Sequence, residues 1–283
     1  MSNPDRADVV IVGGAIVGSA VATFLARRPD WHGRIVVVER DLTFRTSSTT
    51  LSAASIRLQF STPLNIEISR FGVELIKHLD TWLGVEGQPP PAVDFVEGGY
   101  LFLASEAGLP ILESNHAVQR EHGVQVALLN PMELRARFPW MEVDDLAGGS
   151  LGLADEGWFD AYALLQAFRR KARSLGVEEV AGEVEIMRDT GRAIGVRLAD
   201  GREIEADWVV NAAGPRAGDV AAMAGLVLPV SPRKRMVFHF DCRTRVESPL
   251  TIDTFGVYFR PDGPHYIDGC STQGELHGPD PPQ

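Results

Sequence analysis

Residues 7–41 read ADVVIVGGAIVGSAVATFLARRPDWHGRIVVVERD. Val9 to Val12 is a run of β-branched residues, the pattern of a strand buried on both faces. The turn Gly13-Gly14-Ala15-Ile16-Val17-Gly18 follows, then a helix of small and apolar residues to Arg28, with Pro29 just beyond. Ile35 to Val38 is a second buried strand, and Glu39 stands at its end. Strand, tight turn, helix, strand and terminal carboxylate make the entry half of a dinucleotide-binding domain. The pattern G-x-G-x-x-G places glycines at 13, 15 and 18, and here position 15 is Ala15.

Each part of this stretch has a physical role. Gly13 permits the tight turn and Gly18 the close packing of helix on strand. The residue at 15 must let the backbone approach a pyrophosphate, which the helix N-terminus stabilises. Alanine adds one methyl group, and Gly14 keeps the turn pliable, so binding is expected to survive with a slight displacement of the phosphate. Glu39 would accept hydrogen bonds from ribose hydroxyls and repel a 2′-phosphate, which disfavours NADP. Arg40 reads either as a cover for the adenine or as a solvated surface charge.

Two further stretches belong with the first. Thr46 to Ser55 carries seven hydroxyl residues with Ala53 and Ala54 before Ile56-Arg57. It makes a poor core strand and a good loop for presenting hydroxyl and N–H groups to phosphate or a ring edge. A solvent-exposed Ser/Thr loop is the other reading, and the position just after the acidic strand favours the first. Asp207 to Gly214, DWVVNAAG, is a buried strand running into small residues, where backbone can approach a dinucleotide closely. Both would lie at the carboxyl edge of one sheet.

The remaining pattern is mixed. Asn65 to Leu83 has a largely helical apolar period, and Gln88 to Pro91 reads as a linker. Gly99 to Ala104 reads as a strand, and Leu109 to His122 as a helix ended by Gly123. Asn130-Pro131-Met132-Glu133 is a helix start of the capping-box type. Ala161 to Leu175 is an amphipathic helix with Asp160 as cap, Gly176 as stop and a basic face suited to solvent. Strands are expected at 184–187, 193–198, 206–211, 236–240 and 255–259. After Asp268 the chain turns to Gly, Pro and polar residues, and no strand visibly returns to the first sheet before Gln283.

Composition narrows the classes. The 283 residues, 45% of them hydrophobic, suffice for a sizeable core and two domains. A net charge of -11 argues against non-specific binding to nucleic acid or anionic membrane, and the local run Arg233-Lys234-Arg235 does not reverse this. Cys242 and Cys270 form no metal-ligand or redox pair, so no metal site is expected. No segment is long and apolar enough to span a bilayer. The opening MSNPDRAD has neither the regions of a signal peptide nor the basic character of a transit peptide. The expectation is therefore a cytoplasmic protein, at most peripheral to a membrane, with a mitochondrial location disfavoured.

With these residues in hand, the chain resembles the FAD-dependent oxidoreductases of the D-amino-acid oxidase superfamily, which includes glycine oxidase, sarcosine oxidase and dimethylglycine dehydrogenase. More closely it resembles the branch containing a mitochondrial assembly factor of respiratory complex I. The residues that carry the resemblance are 7–18, VVVERD (36–41), SSTTLSAASIRLQFSTPLNI (47–66), GYLFLAS (99–105) and NPMELRARFPW (130–140). DEGWFDAYALLQAFRRKARSLGV (155–177), VVNAAG (209–214), PRKR (232–235) and GVYFRPDG (256–263) extend it over nearly the whole chain. The blocks around Arg57, Trp158 and Arg260 are the specific ones.

The resemblance implies an α/β fold: a Rossmann-like FAD-binding domain with an inserted β-rich (α+β) substrate domain. It assigns residues 1–90 and 151–228 to the FAD domain, and 91–150 and 229–283 to an incomplete substrate or cap domain. Gly13, Gly14, Ala15, Ile16, Val17 and Gly18 would cradle the FAD pyrophosphate, and Glu39 and Arg40 the adenosine. Ser48, Thr49, Thr50, Leu51, Ser52, Ala53, Ala54 and Ser55 would run past the pyrophosphate and ribityl toward the flavin. Val184 would offer backbone to the adenine, and Ala213 and Gly214 would line the adenosine side. Arg57 is the first candidate for stabilising reduced flavin or a substrate carboxylate, and Tyr258 and Arg260 come second. A structural salt bridge is the alternative for each arginine, and a sheet-edge aromatic for Tyr258.

The implied reaction is oxidation of a small amine or amino acid of the sarcosine, dimethylglycine or glycine kind. Hydride passes to flavin, and then electrons pass to oxygen, a quinone or an electron-transfer protein. The alternative is an FAD-containing assembly factor for complex I with little or no turnover. An NAD-dependent dehydrogenase would account for the first 41 residues and leave the Ser/Thr loop and later blocks unexplained. The histidine used by some relatives for covalent FAD is missing between Thr46 and Arg57, so noncovalent binding is expected. The family continues well past this length, so the chain is expected to be shortened at its C-terminal end.

Overall fold

The computed structural model describes residues 5–270 of the chain. In chain order the strands are β1 Asp5–Val12, β2 Ile35–Glu39, β3 Ser55–Ile56, β4 Tyr100–Ala104 and β5 Val126–Leu129. They continue with β6 Gly148–Gly152, β7 Gly157–Trp158, β8 Glu178–Ala181, β9 Val184–Asp189 and β10 Arg192–Leu198. The last are β11 Glu203–Asn211, β12 Val237–Phe240, β13 Leu250–Ile252, β14 Tyr258–Asp262 and β15 His265–Gly269. The helices are α1 Ile16–Ala26, α2 Pro63–Lys77, α3 Leu79–Leu83, α4 Leu109–Glu121, α5 Pro131–Arg137, α6 Ala161–Ser174 and α7 Ala217–Met223. Among the described residues no helix is long and apolar enough to cross a membrane.

The first sheet has the order β8-β2-β1-β11-β10-β9. Its first four strands are mutually parallel and the last two antiparallel. β1 is buried on both faces, as its β-branched run requires. Val9 and Ile11 pack with Ala22 of α1 and Ala172 of α6, while Val10 and Val12 pack with Val196, Ile204 and Val220. This is the α/β, Rossmann-like sheet that residues 7–41 announce.

The second sheet has the order β12-β15-β14-β13-β4-β6-β5. Two chain segments build it, one from 100 to 152 and one from 237 to 269, and they meet in a single parallel pairing of β4 with β13. A ribbon of β3 and β7 lies apart from both sheets, with Ser55 opposite Trp158 and Ile56 opposite Gly157. The architecture is thus a Rossmann-like sheet with additional β-rich layers of the kind an inserted substrate domain supplies.

Local chemistry sets the element ends. Asn130 caps α5 in a reciprocal box: its side chain accepts from Glu133 N at 3.0 Å, and its own N–H donates to Glu133 Oε2 at 2.8 Å. Asp160 Oδ1 accepts from Ala163 N at 2.9 Å at the start of α6. The helix expected over 65–83 is two helices, because His78 leaves the helical region (φ -126°, ψ 42°). The strand expected at 255–259 begins only at Tyr258. Asp253 Oδ1 accepts from both Phe255 N and Val257 N at 2.8 Å and holds 253–257 as a turn. The polar stretch after Cys270 lies outside the described residues.

Candidate active site

The glycine-rich turn sits at the carboxyl edge of the first sheet. Gly13 N donates to Val38 O at 2.9 Å and Ala212 N to Val12 O at 2.8 Å, so the turn is flanked by the ends of β2 and β11. Gly13 has φ +99°, and a Cβ there would lie 2.4 Å from Ala212 O. At Gly18 a Cβ would lie 1.8 Å from Gly13 O. Both positions therefore exclude a side chain. Ala15 has φ -66°, ψ -167°, an ordinary extended backbone, so its methyl imposes no strain.

Around this turn the structure gathers several of the residues singled out from sequence. Glu39 Oε2 accepts from Gly14 N at 2.8 Å and Oε1 from Asp41 N at 3.0 Å. Gly182 N donates to Glu39 O at 3.0 Å, which brings the start of β9, Val184, near the end of β2. Thr49 Oγ1 accepts from Ile16 N at 3.3 Å at the head of α1. Ala213 leads into a short 3-10 turn, Gly214–Arg216, with Gly214 at φ +56°. Arg40, Ser48, Leu51 and Ser52 are exposed. Val17, on the first turn of α1, is exposed too.

The hydroxyl-rich segment is folded on itself. Thr50 N donates to Ser47 Oγ at 3.2 Å, and Ser52 Oγ to Thr49 O at 2.8 Å. Ala54 adopts φ +48°, left-handed backbone that alanine visits rarely. Its carbonyl accepts from Phe159 N at 2.9 Å. Ser55 Oγ meets the Tyr100 hydroxyl. An FAD diphosphate fits this turn on two observations. The glycine turn leaves no room for Cβ atoms, and α1 begins with neither a side-chain cap nor an acidic residue in its first turn.

Beyond the loop lies a second group. The Arg57 guanidinium stands over the rings of Phe60 (4.7 Å), Phe102 (5.5 Å) and Tyr100 (5.8 Å). Its Nε is buried with no hydrogen-bond partner among the described residues. Tyr100 and Tyr258 pack in one cluster with Trp158 and Leu250. Burial pushes both phenols above the ordinary tyrosine range. Arg260, 5% exposed, donates from Nε to Ala53 O at 3.0 Å and from Nη1 to Pro261 O and Asp262 Oδ1. It also lies over the Trp158 ring. Three donations therefore hold Arg260 between the β14 strand and the hydroxyl-rich loop.

Sequence reasoning assigned no role to Tyr100, Gln59, Ser150 or Glu156. Tyr100 and Glu156 lie in the blocks GYLFLAS and DEGWFDAY, but nothing local marks them as site residues. The ribbon β3–β7 creates their neighbourhood, because Arg57 follows β3 and Glu156 precedes β7.

The family model described as FAD dependent oxidoreductase (DAO) matches residues 8–283. The chain belongs to this FAD-dependent oxidoreductase family, and FAD is its cofactor. It is 40% identical to the FAD-dependent oxidoreductase domain-containing protein 1 of Xenopus laevis over 96% of this chain and 62% of that protein. It thus spans less than two thirds of that relative's length. The mitochondrial sarcosine dehydrogenase of Mus musculus is 28% identical over 80% of the chain and 24% of its own length. Among solved structures, L-proline dehydrogenase from P. horikoshii shares the fold, with a TM-score of 0.81 and 24% identity. That match covers 99% of this chain and 74% of that one.

One expectation is corrected by these relatives. A cytoplasmic location with a mitochondrial one disfavoured does not stand, because the sarcosine and dimethylglycine dehydrogenases that the chain matches are mitochondrial. An address signal is read by import machinery and is separate from the folded domain, so the character of residues 1–8 carries no weight here.

Proposed function

We propose that this chain provides the FAD cradle and substrate-orienting groups of an oxidoreductase that oxidises a small amine or amino acid at its CH–NH bond. The substrates in view are of the sarcosine, dimethylglycine or glycine kind. The observation that carries the reading is Arg57: a cation with a buried, unpartnered Nε, walled by aromatic rings and placed directly after the hydroxyl-rich loop. In so dry a setting a guanidinium favours a small carboxylate, which it can bind by two charge-assisted hydrogen bonds.

The roles follow from position. Gly13 to Gly18 would take the diphosphate at the head of α1, with Thr49 beside it. Glu39, Arg40, Val184, Ala213 and Gly214 would face the adenosine, and Ser48 to Ser55 the ribityl and ring. Residues 1–90 and 151–228 would serve the cofactor, and 91–150 and 229–283 the substrate. FAD, when bound, supplies the hydride acceptor. Arg57 would hold the substrate carboxylate, and Tyr258 would close the same side. Arg260 would act by fixing Ala53, and the rings of Phe60, Phe102 and Tyr100 would keep water from the carboxylate. No strong protein base is needed if the substrate amine arrives deprotonated.

The test is a spectrum of the FAD-loaded protein, taken without oxygen, as sarcosine, dimethylglycine, glycine or L-proline is added. Bleaching of the flavin by one of them supports the reading. Full FAD occupancy with no bleaching by any amine overturns it.

A second reading is an FAD-containing assembly factor for respiratory complex I with little turnover. Its support is the resemblance of the interior blocks to the branch containing such an assembly factor, while the named dehydrogenases lie further off, at 27–29% identity. Co-purification with complex I subunits and an unbleached flavin would favour it. Bleaching by an amine with no such subunits bound would count against it.

A further inference from the structure

Glu156 is fully buried, and its carboxylate is surrounded by donors. Oε1 accepts from Leu58 N at 2.6 Å and from Gln59 N at 2.9 Å, and Oε2 accepts from Gln59 Nε2 at 2.8 Å. The Gln59 amide also donates to Tyr100 O at 3.1 Å, and its Oε1 accepts from Ser150 Oγ at 2.7 Å. The carboxylate therefore holds the turn after β3, and the Gln59 side chain ties that turn to β4 and β6. The space for it is made by Gly152, where a Cβ would lie 1.7 Å from Oε2.

The two backbone bonds are the informative ones. The N–H of Leu58 belongs to the peptide that follows Arg57, so fixing its direction fixes ψ of Arg57. The N–H of Gln59 fixes the next peptide plane in the same way. Together they set the direction in which the Arg57 side chain leaves the backbone. Opposite charge adds to this, since Arg57 is the cation that draws on the Glu156 carboxylate. A neutral amide at 156 could accept at one atom only, and its NH2 would face the Gln59 NH2.

We propose that Glu156 is a positioning residue for Arg57: by clamping the Leu58 and Gln59 amides it sets where the guanidinium meets the substrate carboxylate. This rests on the reading of Arg57 as the carboxylate anchor. The bond pattern has a direct consequence. Loss of the Glu156 charge should weaken carboxylate binding only while Arg57 is present.

The test is a double-mutant cycle on the FAD-loaded protein at about pH 8.5, where Glu156 is ionised, with acetate as the binding probe read by tryptophan fluorescence and sarcosine as the substrate. Glu156→Gln is expected to weaken acetate about tenfold, and to raise KM for sarcosine by a similar factor with kcat changed less than about threefold. In the Arg57→Met background the same change is expected to move acetate affinity by less than about twofold. A merely structural role lowers Tm in both backgrounds and gives effects on acetate that multiply, and that result overturns the proposal. Acetate affinity unchanged by Glu156→Gln but lost in Arg57→Met also overturns it, leaving the anchor reading intact. Wild-type acetate binding in Arg57→Met sinks the anchor reading itself. If Glu156→Gln does not fold, Glu156→Asp takes its place in the cycle. It keeps the charge but draws the carboxylate back from the Leu58 and Gln59 amides, with a loss of about threefold expected and the same criteria applied.

Discussion

Arg260 Nε donates to the carbonyl of Ala53 at 3.0 Å, across 207 residues of sequence. The bond joins a strand of the second sheet to the loop that follows the glycine turn of the first. The same guanidinium is paired with Asp262 and lies over Trp158, so its position is set on three sides. Arg260→Leu removes the donor, strands the Ala53 carbonyl and leaves Asp262 with only His239 beside it, at 3.8 Å. We expect a loss of about 2–3 kcal/mol of stability. Because Ala53 lies in the loop proposed to run past the flavin, flavin should also leave the variant about tenfold more readily on dilution. Thermal unfolding and flavin fluorescence after gel filtration measure the two effects.

The glycine turn makes a contrasting pair of predictions. Gly13→Ala places a Cβ 2.4 Å from Ala212 O at a backbone with φ +99°, so the turn must shift. The expected cost is about 2–4 kcal/mol, with FAD retention lost along with it. Ala15→Gly restores the G-x-G-x-x-G pattern at a position whose φ is already -66°. No strain is relieved there, and the greater freedom of the unfolded chain should cost about 0.5–1 kcal/mol. FAD affinity should stay within about twofold of the parent. A large gain in FAD affinity would show that the methyl obstructs the phosphate after all.

How much of this was legible in the sequence follows from the range of each interaction. The β1-turn-α1-β2 unit was legible because its signals are local: β-branched runs, fixed glycine spacing and a carboxylate at the strand end. So were the caps of α5 and α6, which act over three residues. The partners of Arg57 were not legible. Phe60 is three residues on, but the others come from β4 and from the residue before β7, and the ribbon pairing Ile56 with Gly157 brings them together. The role of Arg260 was hidden for the same reason, since a strand position says nothing about a carbonyl 207 residues earlier.

The basic face of α6 is a case where periodicity pointed the wrong way. That face was expected to be solvated, yet Arg169 is 7% exposed. It forms a two-bond pair with Glu179, Nε to Oε1 at 2.7 Å and Nη2 to Oε2 at 2.8 Å, and lies over the Phe44 ring at 4.5 Å. Glu179 belongs to β8, the edge strand beside β2, so the ion pair pins α6 to the sheet edge. Arg169→Leu leaves a largely buried carboxylate with only the exposed Arg173, 3.7 Å away, to balance it, at an expected cost of about 2–4 kcal/mol. Adding Glu179→Leu should recover most of that loss, because the pair as a whole is worth far less than either partner alone. Urea unfolding of the two variants and the parent measures the difference.

Glu156 gives the protein a defined pH dependence. Burial pushes its carboxyl up to about 7, against the pull of three N–H donors and Arg57. A carboxyl whose folded pKa exceeds its unfolded value binds more protons in the folded state between the two. Its contribution to stability is therefore full below the unfolded value of 4.5 and is lost as pH rises to about 7. The shift corresponds to about 3 kcal/mol across that window. In Glu156→Gln the titrating group is absent. The difference in stability between parent and variant should accordingly move against the parent from pH 4.5 to 7 and be flat above it. Urea midpoints at half-unit pH steps give this difference directly, with the other carboxylates cancelling between the two proteins. A difference that stays constant across the window would mean that the donors outweigh burial, so that Glu156 is charged throughout and exerts its clamp on Arg57 at every pH in the range.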